Sequence, residues 1–254
     1  MSMKQNDVLF LYTLRLADDA LILGHRLGEW CSKAPILEED LALTNIALDM
    51  IGRAEAILRY AAEVEGKGHT EDDLAYKRPE RKFYNHLLVE QENGDFAHTI
   101  ARQLFISTFE YHLYTALLKS SDENIAGIAA KAIKEIKYHK KHASDWCIRL
   151  GDGTDESKER MQTALNDLWM YTGELFETDE INEWLHEGGI AADLSKLEGP
   201  WKTDIVDVLG QAKLTVPTSG YMQTGSRKGV HTEKLGYILA EMQYLQRAYP
   251  DAKW

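Results

Sequence analysis

The chain has 254 residues, of which 44% are hydrophobic and only 5 are proline. This length suffices for a large buried core, and the scarcity of proline favours one all-helical domain spanning residues 1–254. The formal net charge of −12 argues against nucleic acid or an anionic membrane as a partner, because both require a basic face.

No apolar run approaches the roughly 20 residues of a membrane span. The first residues lack the basic-then-apolar order of a signal peptide, so we expect a cytoplasmic protein. The two cysteines, Cys31 and Cys147, have no metal-type spacing and are predicted to be reduced core residues.

The first half of the chain predicts two long helices. Apolar residues at helical spacing indicate one helix over residues 8–31 and a second over residues 38–64. Gly66 and Gly68 end the second helix. The charged stretch 69–82 has no sustained period and is predicted to cross the surface with at most a short helical turn.

The second half repeats this arrangement. After a turn at residues 92–95, a third helix is predicted over residues 96–118. A fourth, capped within residues 120–122, runs to Gly151 and forms an antiparallel pair with the third. Three C-terminal helices are predicted over residues 156–175, 179–186 and 196–214. A last helix is predicted to begin after an N-cap at Thr232.

The fourth helix carries polar side chains on its apolar face. Glu135, His139 and His142 lie at helical spacing, and His139 falls within the apolar seam. Ferritin-like di-iron bundles use one Glu from each of two helices and Glu-x-x-His from each of the other two. Three residues after Glu135 stands Tyr138, and the histidine follows one position later.

Other helices carry matching carboxylates. Asp18 and Asp49 lie midway along the first two helices, and a similar separation relates Gln103 to Glu135. The second helix is apolar on nearly every side around Asp49, so an ionised carboxylate there needs a partner or a metal. Three residues after Asp49 stands Gly52, which cannot bind a metal. Because two expected histidines are missing, we predict a vestigial centre without metal. Its candidate residues are Asp18, Asp49, Gln103 (or Glu110), Glu135, Tyr138 and His139. The alternative is a buried polar network satisfied within itself.

Several motifs resemble one family, the C subunit of the bacterial phenylacetyl-CoA epoxidase, and the resemblance runs from end to end. The motifs are Tyr12-Thr-Leu-Arg-Leu-Ala-Asp18, Arg26-Leu-Gly-Glu-Trp-Cys31, Lys131-Ala-Ile-Lys-Glu135, Lys228-Gly229, His231-Thr-Glu233, Leu239-Ala-Glu-Met-Gln243 and the terminal Trp254.

The resemblance implies a ferritin-like four-helix bundle core with additional C-terminal helices. It implies a non-catalytic structural subunit of an oxygen- and NADPH-dependent ring 1,2-epoxidase of phenylacetate catabolism. The partners would be the catalytic A subunit, which holds the iron, and other subunits of the complex. No cofactor is expected in this subunit.

The resemblance also implies contacts with phenylacetyl-CoA at or near a subunit junction. The positions that correspond to these contacts are Pro79, Glu80, Arg81, Lys82, Glu180, Ile181 and Asn182.

Two other functions remain open from the residues. One is an active di-metal carboxylate oxygenase with an atypical ligand set, formed by Asp18, Asp49, Glu110, Glu135 and His139. The other is a ferritin-like protein with neither partner nor metal. Whether the isolated chain forms a homo-oligomer is also open.

Overall fold

The computed structural model describes residues 5–250 and residue 252, so Trp254, which contributes to the resemblance, lies outside the described part. The described residues form eleven α-helices and a few short 3-10 turns, without any strand, which confirms the predicted all-α class. None of these helices combines the length and the apolar character that crossing a bilayer requires.

The chain divides into two compact units. Unit 1 contains Met1–Glu92 and Gly225–Trp254, and unit 2 contains Asn93–Thr224. The prediction of one domain over residues 1–254 stays a prediction.

Unit 1 is built on a pair of long helices. Its helices are α1 (Gln5–Gly28), α2 (Leu37–Glu65), α3 (Glu71–Tyr76), α4 (Leu87–Glu90), α10 (Glu233–Met242) and α11 (Tyr244–Ala248). Helix α1 packs along α2, and the two are close at Gly24, where an added Cβ would meet the Ile51 side chain. Gly66 ends α2 in the left-handed conformation, as the sequence predicts.

Two details of unit 1 differ from the predictions. Helix α1 ends at Gly28, and the residues after it form turns, so Cys31 is exposed and the prediction of a core cysteine was wrong at this position. The stretch between α2 and α5 also contains more helix than expected. Helix α3 has a capping box between Thr70 and Asp73, and α4 was not predicted.

Unit 2 is built on a second pair of long helices. Its helices are α5 (Phe96–Leu117), α6 (Glu123–Gly151), α7 (Asp155–Trp169), α8 (Glu180–Glu187) and α9 (Glu198–Gln211). Asp95 and Asp122 cap α5 and α6 with their carboxylates. Helix α7 ends at Trp169, earlier than the predicted end at residue 175. After it, the backbone N–H groups of Tyr171 and Thr172 donate to carbonyls three residues back and form turns. The core beside it includes the Trp169 and Trp201 rings, whose centres lie 5.7 Å apart at an angle of 36°.

The C-terminal part of unit 1, residues 225–248, is called the C-terminal arm here. It begins with a loop and continues as α10 and α11, and α10 packs against α1 and α4. Gly229 adopts a φ of +68°, and a Cβ at this position would collide with the Arg81 carbonyl oxygen. The loop therefore lies directly on the segment that precedes α4.

We expect Gly229→Ala to lower the thermal unfolding midpoint of the purified chain. A left-handed non-glycine residue costs roughly 1–2 kcal/mol, and the collision with Arg81 adds to it. Gly127→Ala is the matched control, because Gly127 lies in α6 with nothing within 4 Å of an added Cβ. We expect it to raise the midpoint slightly, since alanine favours helices. An equal effect of both substitutions would contradict the close approach at Gly229.

Candidate functional site

Asp18, the first predicted residue of the vestigial centre, is fully buried on α1 and is held by three N–H donors. Arg78 forms an ion pair with it through both guanidinium ends, and its Nη1 lies 3.1 Å from Asp18 Oδ2. The backbone N–H of Tyr84 donates to the same oxygen at 2.9 Å. Both carboxylate oxygens of Asp18 therefore act as acceptors within unit 1.

Arg78 supplies the positive charge that a buried carboxylate requires. Burial raises the pKa of Asp18, while the charge and hydrogen bonds of Arg78 oppose this increase. The guanidinium also donates to the Lys82 carbonyl (2.7 Å) and lies 4.1 Å from the centre of the Phe83 ring. A cation is thus already fixed at Asp18, and this carboxylate does not fit the role of an iron ligand.

The surroundings of Asp49 differ from those that the sequence suggested. Asp49 is only half-buried, and its neighbour Leu48 is 64% exposed, because α2 buries one face and leaves the opposite face open. Gly52, which stands where a ligand histidine was expected, has nothing within 4 Å of an added Cβ. The sequence indicated that α2 is covered on nearly every side at Asp49. In the structure, one side of the helix is open there.

The remaining centre residues belong to unit 2. Gln103 and Glu110 are buried on α5, His139 is buried on α6, and Glu135 is half-buried. Tyr138 is 49% exposed, because it lies about 100° around the helix from His139.

Among the described residues, no three His, Cys, Asp or Glu side chains form a group suited to hold a metal ion. The shared vestigial centre stays a prediction, since Asp18 and Asp49 lie in unit 1 and the others in unit 2.

A second buried carboxylate, Asp19, begins a chain of hydrogen bonds to the C-terminal arm. It accepts from the backbone N–H of His86 (2.7 Å) and from His86 Nδ1 (2.8 Å). Arg227 of the arm then donates to His86 Nε2 (2.6 Å) and to the Tyr84 carbonyl (2.8 Å). Burial alone would raise the pKa of Asp19, but His86 and Arg227 outweigh it, so the pKa is lowered.

A third buried carboxylate, Glu90, holds the arm directly. Its Oε1 accepts from the backbone N–H and the hydroxyl of Thr232, both at 2.7 Å, and its Oε2 lies 2.8 Å from His231 Nδ1. The Thr232 hydroxyl was predicted to cap α10, but it donates to Glu90 and makes no capping hydrogen bond. The start of α10 is therefore fixed to α4.

His231 donates from both ring nitrogens. Its Nδ1 faces the Glu90 carboxylate, and its Nε2 lies 2.8 Å from the carbonyl oxygen of Phe83, which can only accept. The ring is therefore doubly protonated and forms a buried ion pair. Burial alone would lower the pKa of His231, but the hydrogen bond and charge of Glu90 outweigh it and the pKa is raised.

This network, formed by Asp18, Asp19, Glu90 and their partners, was missed from the sequence. His86 belongs to no recognisable motif in the sequence, yet it is buried between Asp19 and Arg227. The available signal was the unusual order of polar residues at 227–233. That order of residues resembled a family, but it did not predict that residues 227–233 contact His86 and Glu90.

The first predicted acyl-CoA segment lies beside a cavity of about 620 Å³ in unit 1. Pro79 and Lys82 line it, and so do Lys67 and Lys77, which form ion pairs with Glu65 and Asp73 of the same lining. The apolar residues of the lining are Phe10, Leu11, Leu14 and Leu74.

Arg81 is directed elsewhere and donates to the Gly229 carbonyl at 3.2 Å, while Glu80 is exposed at the start of a 3-10 turn. Arg81 therefore supports the C-terminal arm.

The second predicted segment forms the first turn of α8 in unit 2. Glu180 is exposed, Ile181 is half-buried and Asn182 is buried. The Asn182 backbone N–H donates to the capping carboxylate of Asp179 (3.0 Å), and its amide donates to the Ala192 carbonyl (3.5 Å). The Asn182 side chain is thus engaged in holding its own loop.

We expect Arg78→Met to destabilise the chain by about 3–5 kcal/mol, because it leaves the buried Asp18 carboxylate uncompensated. The double variant Arg78→Met with Asp18→Leu should recover a large part of that loss, since no buried charge remains. Urea unfolding of the wild type, both single variants and the double variant measures the coupling. Additive effects would show that the two side chains do not depend on each other.

The ion pair between His231 and Glu90 should make stability depend on pH. Because the folded pKa of His231 is raised, its contribution is fully present below about pH 6.5 and is lost as the pH rises through the folded value. We expect His231→Gln to cost about 1–3 kcal/mol at pH 6 and progressively less at higher pH. Urea unfolding from pH 6 to 9, with His69→Gln at the surface as the control, measures the difference. A cost that does not fall with pH would contradict a charged His231.

Comparisons with known proteins agree with this description. A family model described as phenylacetic acid catabolic protein matches residues 1–254. The C subunit of the 1,2-phenylacetyl-CoA epoxidase of Escherichia coli (strain K12) is 53% identical over 243 residues, which cover 96% of this chain and 98% of that protein. The resemblance stated from the sequence motifs is confirmed, and the matching family is ferritin-like. The chain belongs to the phenylacetic acid catabolic protein family.

Proposed function

We propose that this chain is a non-catalytic, structural subunit of a cytoplasmic phenylacetyl-CoA 1,2-epoxidase complex, acting in the aerobic degradation of phenylacetate. It would pair with a related catalytic subunit that carries the iron. The similarity to the C subunit of the Escherichia coli enzyme supports the complex and the pathway. The ion pair of Asp18 with Arg78 is the observation that carries the non-catalytic role.

This ion pair matters because of the position of Asp18 in the fold. A ferritin-like di-iron protein directs a carboxylate from this region of its helices toward the metals. Here the carboxylate accepts hydrogen bonds from Arg78 and Tyr84, and an iron ion would have to displace a guanidinium from a buried site. The outward direction of Tyr138 and the open surroundings of Gly52 support the same proposal.

The contribution of this subunit would be support and substrate binding. Oxygen activation would belong to the iron of the catalytic subunit, with electrons from a reductase that uses NADPH. The residues of this chain proposed to contact the acyl-CoA are Pro79, Glu80, Arg81, Lys82, Glu180, Ile181 and Asn182. Of these, Lys82 has the most suitable position, since it lines a cavity and shows no ion pair within the described residues.

Reconstitution tests the proposal. The chain and the catalytic subunit of the same organism are purified separately and assayed for epoxidation of phenylacetyl-CoA with the reductase, alone and after mixing. We expect a stable complex on size-exclusion chromatography, turnover only when the catalytic subunit is present, and higher turnover in the mixture. Turnover by this chain without the catalytic subunit would contradict the non-catalytic role. Failure of the two chains to associate would contradict the structural role.

We expect Lys82→Ala to raise the Michaelis constant of the assembled complex for phenylacetyl-CoA severalfold and leave kcat unchanged. A lysine at the cavity offers a point charge to the phosphates of coenzyme A, which are remote from the reacting ring. Glu233→Ala is the matched control, because Glu233 is also an exposed charge of unit 1 but does not line the cavity.

Steady-state kinetics at low salt, where charge interactions are least screened, measures the effect of Lys82→Ala. An unchanged Michaelis constant in an assembled complex would remove Lys82 from the proposed contacts.

A further inference from the structure

Helix α2 exposes three leucines on one face, and these are called the leucine stripe here. Leu37 is 71% exposed, Leu41 is 57% exposed and Leu48 is 64% exposed. At about 100° per residue, the three side chains fall within an arc of about 40° and extend over roughly 17 Å of helix. Exposed apolar side chains that share one helix face are a feature of surfaces that bind another protein, although Thr44 lies between Leu41 and Leu48 here.

Gly52 continues the leucine stripe by one turn. An added Cβ at Gly52 would have nothing within 4 Å, so no contact inside the chain requires glycine there. A glycine inside a helix costs roughly 0.5–1 kcal/mol relative to alanine. The residue is explained if a second backbone approaches α2 closely at this point, as small residues permit where helices pack against one another.

The edges of the leucine stripe carry a single sign of charge. Residues 37–52 contain no Lys or Arg and four acidic side chains, of which all but the buried Glu39 lie beside the stripe. Glu38 is exposed, and Asp40 and Asp49 are half-buried. A second copy of this chain would bring the same acidic edges together and would be repelled, whereas a partner with basic edges would be attracted.

We propose that the leucine stripe binds an amphipathic helix of the catalytic subunit, with an apolar face flanked by Lys or Arg. The inference rests on the proposed function and adds to it the surface through which the two chains pair. The leucines would bury apolar area, Gly52 would admit the partner backbone, and Glu38 and Asp40 would pair with its basic residues.

The test is a binding measurement between the full-length chain and the catalytic subunit by biolayer interferometry. We expect the double variant Leu41→Glu with Leu48→Glu to weaken binding at least tenfold. Leu118→Glu is the matched control, because Leu118 is 42% exposed on unit 2, and it should bind as the wild type does. Since these leucines are exposed and glutamate favours helices, the circular dichroism spectra and melting midpoints should match the wild type.

The outcomes separate the two proposals. If the wild type does not bind the catalytic subunit, the proposed structural role fails. If the wild type and the double variant bind equally, the role stands and the leucine stripe is not the surface. Equal loss in the Leu118→Glu control would also overturn the assignment. Light scattering could also overturn it, if the isolated chain forms a dimer and the double variant does not.

Gly52 gives an independent measurement on the same surface. Gly52→Ala should raise the melting midpoint of the isolated chain and weaken binding, because its Cβ occupies the space that the partner backbone is proposed to use. Gly52→Trp should weaken binding at least tenfold without lowering the midpoint, since the isolated chain has open space there. Unchanged binding of Gly52→Trp would show that no partner approaches α2 at this turn.

Discussion

The structure of unit 1 depends on the cost of burying carboxylates. Asp18, Asp19 and Glu90 are all buried, and an ionised carboxylate is tolerated inside a protein only when donors or cations surround it. The chain supplies these partners from residues 78–90 and from the C-terminal arm. The same contacts that satisfy the charges therefore fix the loop after α3 to α1 and fix the arm to that loop.

On the proposed function, this arrangement would let a ferritin-like chain keep buried carboxylates that hold its loops together and bind no metal. A carboxylate that would otherwise bind a cation is satisfied by Arg78, whose guanidinium is permanently charged and geometrically matched to it. The buried acid then organises the polypeptide. The ion pair of Asp18 with Arg78 supports the proposed role as a supporting subunit. The exposed face of α2 would then bind the partner.

The sequence predicted the long helices well because their apolar periods and caps are local signals, as the ends of α2, α5 and α6 show. It did not predict the partner of Asp18, because Arg78 is distant in the chain and lies in a stretch without a period. It also misjudged α2 near Asp49, where an apolar sequence on all sides was interpreted as burial. Leu48 is apolar yet exposed, and a partner surface would account for that combination.

We propose, above all, that this chain supports a metalloenzyme without being one. The decisive measurement is iron analysis of the chain, purified alone from iron-supplemented cells and compared with the catalytic subunit prepared in the same way. We expect far less than one iron atom per molecule of this chain and a di-iron centre filled with iron in the catalytic subunit. Near-stoichiometric di-iron in this chain that consumes oxygen with a reductant would contradict the proposal.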